Sequence, residues 1–382
     1  MRTLLKLVLN LAVIALLLLV VGGWYYSTQL LPAVSDDPEP RTIEVVDSGE
    51  DTLTLRPTDE APDWAVDDLR ADEVVGFDGA EGYVRLSGPP VAIDGDEVER
   101  TGELVTGGWP GAGERGSMDS YAWPDDPTTT GLPVTEVTAP GPLGDLPGWE
   151  FTGTGEAADD WVVYVHGRGG SPTTALRTVG TVVGDLGHSA LSITYRNDNE
   201  AMESPDGFGH YGDSEWEDLQ AWLDWLTANR EVETVTLYGY SQGGSVVAAC
   251  LRRCTGTEVV TRTVLDSPLL SIQATLELQA AERGIPEPVI GPLLVSTKLI
   301  SELRGGPDFD NLEHVDALAE MDMPILAWHG DDDHTVPDEP TGQLGLEDPD
   351  QVTVLTYAGG HIRGWNVDPT AYEAELTAFL GG

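Results

Sequence analysis

Gly239-Tyr240-Ser241-Gln242-Gly243 places a serine between two glycines where the apolar run Val235 to Tyr238 gives way to a helical segment. A serine presented out of a sheet must sit on a very tight strand-to-helix turn, and flanking residues without side chains let the backbone pack closely there. At a helix N-terminus the dipole favours a developing negative charge. The plain alternative is a glycine-rich strand end carrying an ordinary serine. A hydroxyl needs a base to become a nucleophile, and the base needs an orienting group. Two later loops, each directly after an apolar run, supply them: His329-Gly330-Asp331-Asp332-Asp333-His334-Thr335-Val336-Pro337, and Gly359-Gly360-His361. His361 is the candidate base. His166 and His329 lie in His-Gly turns and are expected to orient loops, and His334 is expected at the surface. His188, His210 and His314 have no chemical context. For the acid, Asp331, Asp332, Asp333 and the strand-end Asp266 all compete. Gln242, just after the serine, offers a backbone N–H to an oxyanion. Arg196, in Tyr195-Arg196-Asn197, is a candidate substrate contact, with a structural salt bridge as the plainer alternative.

The elements that must position these residues are written as alternating periods. Trp161–Val165, Ala190–Tyr195, Val235–Tyr238, Thr263–Leu265, Ile325–Trp328 and Val352–Thr356 are predicted strands. Helical segments separate them, which argues for an α/β domain, a mostly parallel central sheet with helices on both faces. Ser171-Pro172 is predicted to open one helix, with serine as N-cap. Ser214 and Glu217 form a predicted capping box for the next, whose apolar face is Trp216, Leu219, Trp222, Leu223 and Leu226. Asp368-Pro369 starts the closing helix. About 60 residues lie between the strands ending at Leu265 and starting at Ile325, more than a plain crossover needs. Two apolar helical stretches there, broken at Gly284-Ile285-Pro286-Glu287-Pro288, predict a small helical cap at about 267–310. An enlarged crossover packed on the sheet is the alternative.

The stretch from about 133 to 382, two-thirds of the chain, resembles the α/β-hydrolase superfamily, and in layout its membrane-anchored, Bem46-like branch. The motifs that carry the likeness are the G-x-S-x-G turn, the Ser, Asp, His order and the H-G-x-x-D-x-x-V-P loop. The resemblance implies that Asp333 is the triad acid, with Ser241 and His361. From His166-Gly167-Arg168-Gly169-Gly170 it implies that the N–H of Arg168 is the second oxyanion donor. It implies an acyl hydrolase, an esterase first, needing neither cofactor nor metal. A peptidase or aminoacyl amidase is the runner-up, and a non-catalytic binding protein on the same fold the third option. The partner is a small-molecule acyl substrate.

The N-terminal third is of different character. Leu7 to Val21 is apolar save for Asn10, with Arg2 and Lys6 before it and Trp24, Tyr25 and Tyr26 after it. A basic start, an apolar run near the length of a bilayer crossing and an aromatic cluster at its end predict a single-pass anchor over residues 1–31, the catalytic domain lying outside the cytoplasm. Secretion after signal cleavage is the alternative. A Pro- and Asp-rich linker is expected over 32–41. Short alternating runs at Thr52–Leu55 and Tyr83–Leu86, with a helical piece at Trp64–Leu69, predict a β-rich extension over 42–132.

With 66 acidic and 19 basic residues the formal net charge is −47, which argues against nucleic-acid binding and favours solubility. Cys250 and Cys254 lack the neighbouring histidines of a zinc site. They are expected as two small buried side chains near a helix end, or as a disulfide if the helix stops between them.

Overall fold

The computed structural model describes residues 2–34 and 39–381, so residues 35–38 of the expected linker lie outside the described residues. An eight-stranded mixed sheet forms the centre. Its strands are β7 (Val134–Pro140), β8 (Asp145–Phe151), β9 (Asp160–Val165), β10 (Ser189–Ile193), β11 (Thr234–Tyr240), β12 (Val260–Asp266), β13 (Ile325–Gly330) and β14 (Val352–Tyr357). They are arranged in the order β14-β13-β12-β11-β9-β10-β8-β7. The pairings from β10 through β14 are parallel, whereas β8 runs antiparallel to both β10 and β7. The six predicted strands are all present. The edge pair β7 and β8 adds two that the periodicity did not announce.

Both faces of this sheet are buried, and the period of two sorts the side chains between them. Val163, Val165, Leu237, Leu265 and Ala327 point to one face, where Leu219, Trp222 and Leu226 of the helix Trp216–Asn229 pack. Val162, Tyr164, Tyr238, Val264 and Trp328 point to the other, against Val179, Val182 and the closing helix Pro369–Leu380. Asp368 caps that last helix, accepting from the N–H of Ala371 at 3.0 Å.

Two capping expectations are corrected. Ser214 and Glu217 make no capping box: the helix begins at Trp216 after Glu215, with no side-chain cap. The buried Glu215 carboxylate instead accepts from the N–H groups of His210 (2.7 Å) and Gly212 (2.8 Å), so tertiary packing claims the local acid. Ser171-Pro172 does open a helical run, Pro172–Ala175 continuing through Leu176–Val179 and Gly180–Asp185, but the Ser171 hydroxyl makes no cap bond and donates to Thr173 instead. Of the two readings for the cysteines, the structure has the disulfide: the helix Gln242–Arg253 ends beside Cys254, and Cys250–Cys254 is bonded.

Before the sheet the chain closes a six-stranded barrel from β1 (Ile43–Ser48), β2 (Thr52–Pro57), β3 (Val75–Asp78), β4 (Gly82–Ala92), β5 (Val98–Gly107) and β6 (Arg115–Asp119). Closure removes exposed strand edges. Ile43, Val45, Leu53, Leu55, Phe77, Val84, Leu86 and Met118 fill it. A short helix, Asp63–Arg70, lies against it, and buried Arg100 of β5 donates to the carbonyls of Leu69 (3.1 Å) and Glu73 (2.6 Å) at that helix's end.

At the N-terminus, Arg2–Leu30 is one helix, long and apolar enough to cross a membrane. From Leu4 to Val21 its apolar side chains are exposed save the half-buried Leu19, while Ser27 and the following Leu31 are fully buried against the rest of the protein.

Asp119, at the end of β6, accepts from the Tyr83 hydroxyl (2.5 Å) and the Tyr121 N–H (2.7 Å), and burial pushes its carboxyl up to about 6. A native pKa above the unfolded value disfavours the ionised form in the fold. This group's contribution is therefore complete below about pH 4 and declines as the pH rises to about 6. Asp119→Asn should lose less stability than the parent between pH 4 and 6, by roughly 1–3 kcal/mol. Denaturant unfolding at several pH values checks this, and parallel pH curves for the two proteins would contradict it.

Candidate active site

The C-terminal ends of the strands converge on one rim, where α/β sheets place their ligands. β11 ends at Tyr240, and the helix Gln242–Arg253 starts immediately after Ser241. Between them Ser241 has φ 50° and ψ −117°, a conformation that costs a non-glycine residue about 1–3 kcal/mol. The neighbouring glycines make the turn sterically feasible. A Cβ on Gly243 would stand 2.1 Å from the Val165 carbonyl oxygen, and one on Gly239 would stand 2.7 Å from that of Gly243. The Ser241 N–H donates to the Asp266 carbonyl (2.9 Å), and the Ser241 carbonyl accepts from Gly244 (3.0 Å) and Leu269 (2.9 Å).

The structure brings Ser241, His361 and Asp333 together. Ser241 Oγ lies 2.8 Å from His361 Nε2, and His361 Nδ1 lies 2.7 Å from Asp333 Oδ2. An ionised carboxylate only accepts, so Nδ1 carries the proton and Nε2 accepts from the serine hydroxyl. Asp333 is rigidly held: its other oxygen accepts from the N–H groups of Thr335 (2.8 Å) and Val336 (2.9 Å). Burial alone would raise its pKa, but hydrogen bonds from His329 and His361, the His361 charge and the Val336 N–H together hold it far below the usual carboxylate range. Asp333 therefore stays ionised throughout the neutral range.

The rival acids are engaged elsewhere. Asp266 is buried and accepts from the Tyr372 hydroxyl at 2.8 Å, and desolvation raises its pKa against the pull of Arg177. Asp331 accepts from the Gly359 N–H (3.2 Å), and Asp332 faces the exposed His334 (3.2 Å). His329, one residue from the end of β13, sets the acid loop: its Nε2 is 3.1 Å from the Val336 carbonyl and 3.4 Å from Asp333. His166 stacks on Tyr195 and faces Asp198 at 2.9 Å. His314 is buried and pressed down to about 3 by desolvation, and its Nε2 lies 2.9 Å from Ser245 Oγ.

The Arg196 guanidinium takes the salt-bridge alternative: it is buried in an ion pair with Asp218 (2.7 Å) and Glu217 (2.9 Å). The acidic residues of the helix Trp216–Asn229 supply the counter-charges that a buried arginine requires.

Gly167 passes so close to the serine that its Cβ would lie 3.0 Å from Ser241 Cβ, which brings Arg168 and Gln242 to the pocket beside Ser241. The Arg168 side chain donates to the Pro32 carbonyl (3.0 Å), in the segment after the N-terminal helix. The pocket has a volume of about 400 Å³, within the range of small-molecule sites. The helices Ile272–Glu282 and Glu287–Leu303 and the end of the N-terminal helix wall it.

Sequence reasoning missed what holds His361. Ser267, at φ 44°, accepts from the Ile362 N–H (3.1 Å), and the Arg363 N–H donates to the Tyr357 hydroxyl (3.0 Å). The barrel joins in. Arg363 is paired with Asp68 and lies 3.4 Å from Glu73, and Asn366 donates to the carbonyls of Val74 (2.6 Å) and Ser120 (2.7 Å). No local pattern could have linked residues separated by 295 positions. Among the described residues no three His, Cys, Asp or Glu side chains group as a metal site requires.

No protein-family model and no curated protein matches the sequence. Solved structures do. An esterase of Pyrococcus furiosus superposes with a TM-score of 0.54 at 19% identity, covering 67% of this chain and 93% of its own. A second crystal form of it gives 0.53 at 17%, covering 68% and 96%. A likeness at that identity is one of architecture, and with the sheet order and the serine turn described above it gives this chain the α/β-hydrolase fold.

Proposed function

We propose that the chain is a serine hydrolase that cleaves acyl esters through an acyl-enzyme. The observation that carries this reading is the unbroken hydrogen-bond line from Ser241 Oγ through the His361 imidazole to Asp333, at 2.8 and 2.7 Å. His361 Nε2 takes the hydroxyl proton as Ser241 Oγ bonds to the ester carbonyl carbon. The ionised Asp333 holds the Nδ1–H tautomer and stabilises the imidazolium. The N–H groups of Gln242 and Arg168 receive the oxyanion. His361 then returns the proton to the alcohol as the C–O bond breaks. Water, deprotonated by the same imidazole, releases the acid and restores Ser241. Asp333 is the acid in this reading because its carboxylate is the one within reach of Nδ1.

The N-terminal helix acts as a membrane anchor in this proposal, as in the Bem46-like branch, with the hydrolase domain outside the cytoplasm. One feature favours an anchor over a cleaved signal. Ser27 and Leu31 are fully buried, and the Leu30 carbonyl accepts from the Tyr211 hydroxyl at 2.7 Å, so loss of the helix would strip one wall from the pocket.

Ser241→Ala should abolish labelling by a fluorophosphonate probe and lower p-nitrophenyl acetate hydrolysis by at least about 10³-fold, with an unchanged unfolding transition. Labelling or turnover that survives in this variant would refute the nucleophile. Arg363→Ala should lower kcat about tenfold with little change in KM, because His361 loses its brace while the substrate pocket is untouched. Arg363→Lys should recover part of that loss. A fall in stability with kcat unaltered would leave Arg363 a merely structural strut.

A further inference from the structure

We propose that the helix Glu287–Leu303 rests on the lipid bilayer beside the N-terminal helix, and that the pocket at Ser241 takes its acyl substrates from the lipid phase. The substrate half of this inference rests on the hydrolase reading. The membrane half does not.

The first observation is a conflict of composition. Acidic residues are scattered through a chain of net charge −47, yet Pro288 to Ser301 contains none. Within and just beyond that stretch Val289, Val295, Leu299 and Leu303 are 42%, 69%, 55% and 78% exposed. Val295, Leu299 and Leu303 recur every four residues and so share one helical face. The opposite face, with Leu293, Leu294 and Thr297, is buried and lines the pocket. The helix is therefore apolar towards the site and apolar towards the outside.

The second observation is where that outer face sits. The helix packs along the N-terminal helix: a Cβ on Gly22 would lie 2.9 Å from Leu293 Cδ1, and Ser296 Oγ donates to the Leu19 carbonyl at 3.0 Å. Farther along, Arg304 donates to Ser27 Oγ (2.8 Å) and lies over the Trp24 ring at 4.8 Å. Protein contact along the N-terminal helix therefore begins at Leu19. At 1.5 Å per residue, residues 3–18 measure about 24 Å, most of the roughly 30 Å of bilayer hydrocarbon. Leu293 and Ser296 then lie at the boundary of the hydrocarbon. Trp24 and Arg304 lie beyond it, at headgroup level, where such side chains concentrate.

The third observation joins this surface to the chemistry. Tyr26, Gln29 and Leu30 of the N-terminal helix and Leu293 and Leu294 of the neighbouring helix line the same pocket as Ser241. An acyl chain leaving the bilayer between these helices would meet an apolar path to the serine. The acidic surface elsewhere repels anionic headgroups, so the face carried by the acid-free stretch Pro288–Ser301 is the side of the domain that lipid can approach.

The test uses the full chain in phosphatidylcholine vesicles that carry a doxyl quencher on the acyl chain. Because Cys250 and Cys254 are bonded to each other, a nitrobenzoxadiazole label on Val295→Cys has a single attachment point. Its control is Leu346→Cys on the helix Glu339–Glu347, where the parent side chain is 84% exposed. The label at 295 should be quenched at least about twofold more than that at 346, as expected of a side chain seated in the interface. Equal quenching would overturn the proposal. In the same vesicles the double variant V295D/L299D should hydrolyse p-nitrophenyl palmitate about tenfold more slowly while keeping its rate on soluble p-nitrophenyl acetate. Quenching at 295 with both rates unchanged would overturn the lipid-phase route and keep the seating. Quenching at 295 in a parent protein that hydrolyses neither ester would support the seating and refute the hydrolase reading alone.

Discussion

The structure is organised around one forced turn. Ser241 holds a backbone conformation that a side chain disfavours, and it does so because the strand before it and the helix after it are both fixed. The close approaches at Gly239 and Gly243 leave no room for a Cβ, so the turn packs backbone against backbone, and Gly167 passes close beside the Ser241 side chain. Carbonyl and N–H contacts to Asp266, Gly244 and Leu269 bind the turn to the neighbouring strand and the cap. Other non-glycine residues at positive φ lie in the surrounding loops, among them Asn197, Tyr211, Ser267 and Ile362. Strain gathers at the rim, and the two packed faces of the sheet hold it in place.

Charge is handled in the same economical way. The chain has few cations, and several of its arginines are used as internal struts. Arg100 gathers the carbonyls at the end of the barrel helix, and Arg177 reaches the Ile362 carbonyl (3.1 Å) and Asn366 (2.9 Å) behind His361. Arg196 neutralises Asp218, and Arg363 ties the base loop to Asp68 and Glu73. A buried guanidinium with several acceptors fixes geometry that an apolar contact would leave adjustable. The acidic excess stays outside, and the site keeps one ionised carboxylate, Asp333, where the imidazole can use it.

The two N-terminal units acquire meaning only through contact with that site. The barrel braces the segment that follows His361. The N-terminal helix contributes a wall to the pocket, and the strand-like segment after it pairs Pro32 with Phe208 and receives Arg168. Ser241, His361 and Asp333 lie outside both units, which limit where those side chains can go.

The sequence by itself determined the local elements and the candidates for chemistry. Short apolar runs placed the six central strands, because both faces of the sheet are buried and consecutive residues are apolar. The glycine-flanked serine and the loop histidine were legible because turn geometry and strand ends are properties of a few adjacent residues. The acid needed a family likeness to be singled out, since Asp331, Asp332 and Asp333 are chemically alike and differ only in what surrounds them. β7 escaped notice because this edge strand alternates weakly, with Thr135 and Glu136 both exposed, and β8 because Pro147 and Gly148 interrupt its strand character. Tertiary structure alone decided that Arg196 turns inward, that Glu215 serves backbone N–H groups in place of a capping box, that the barrel closes and that it grips the base loop. The physical reason is the same each time. Periodicity and turn chemistry are set over a few residues, whereas the partner a charge finds is set by which distant segments the packed core brings within 3 or 4 Å.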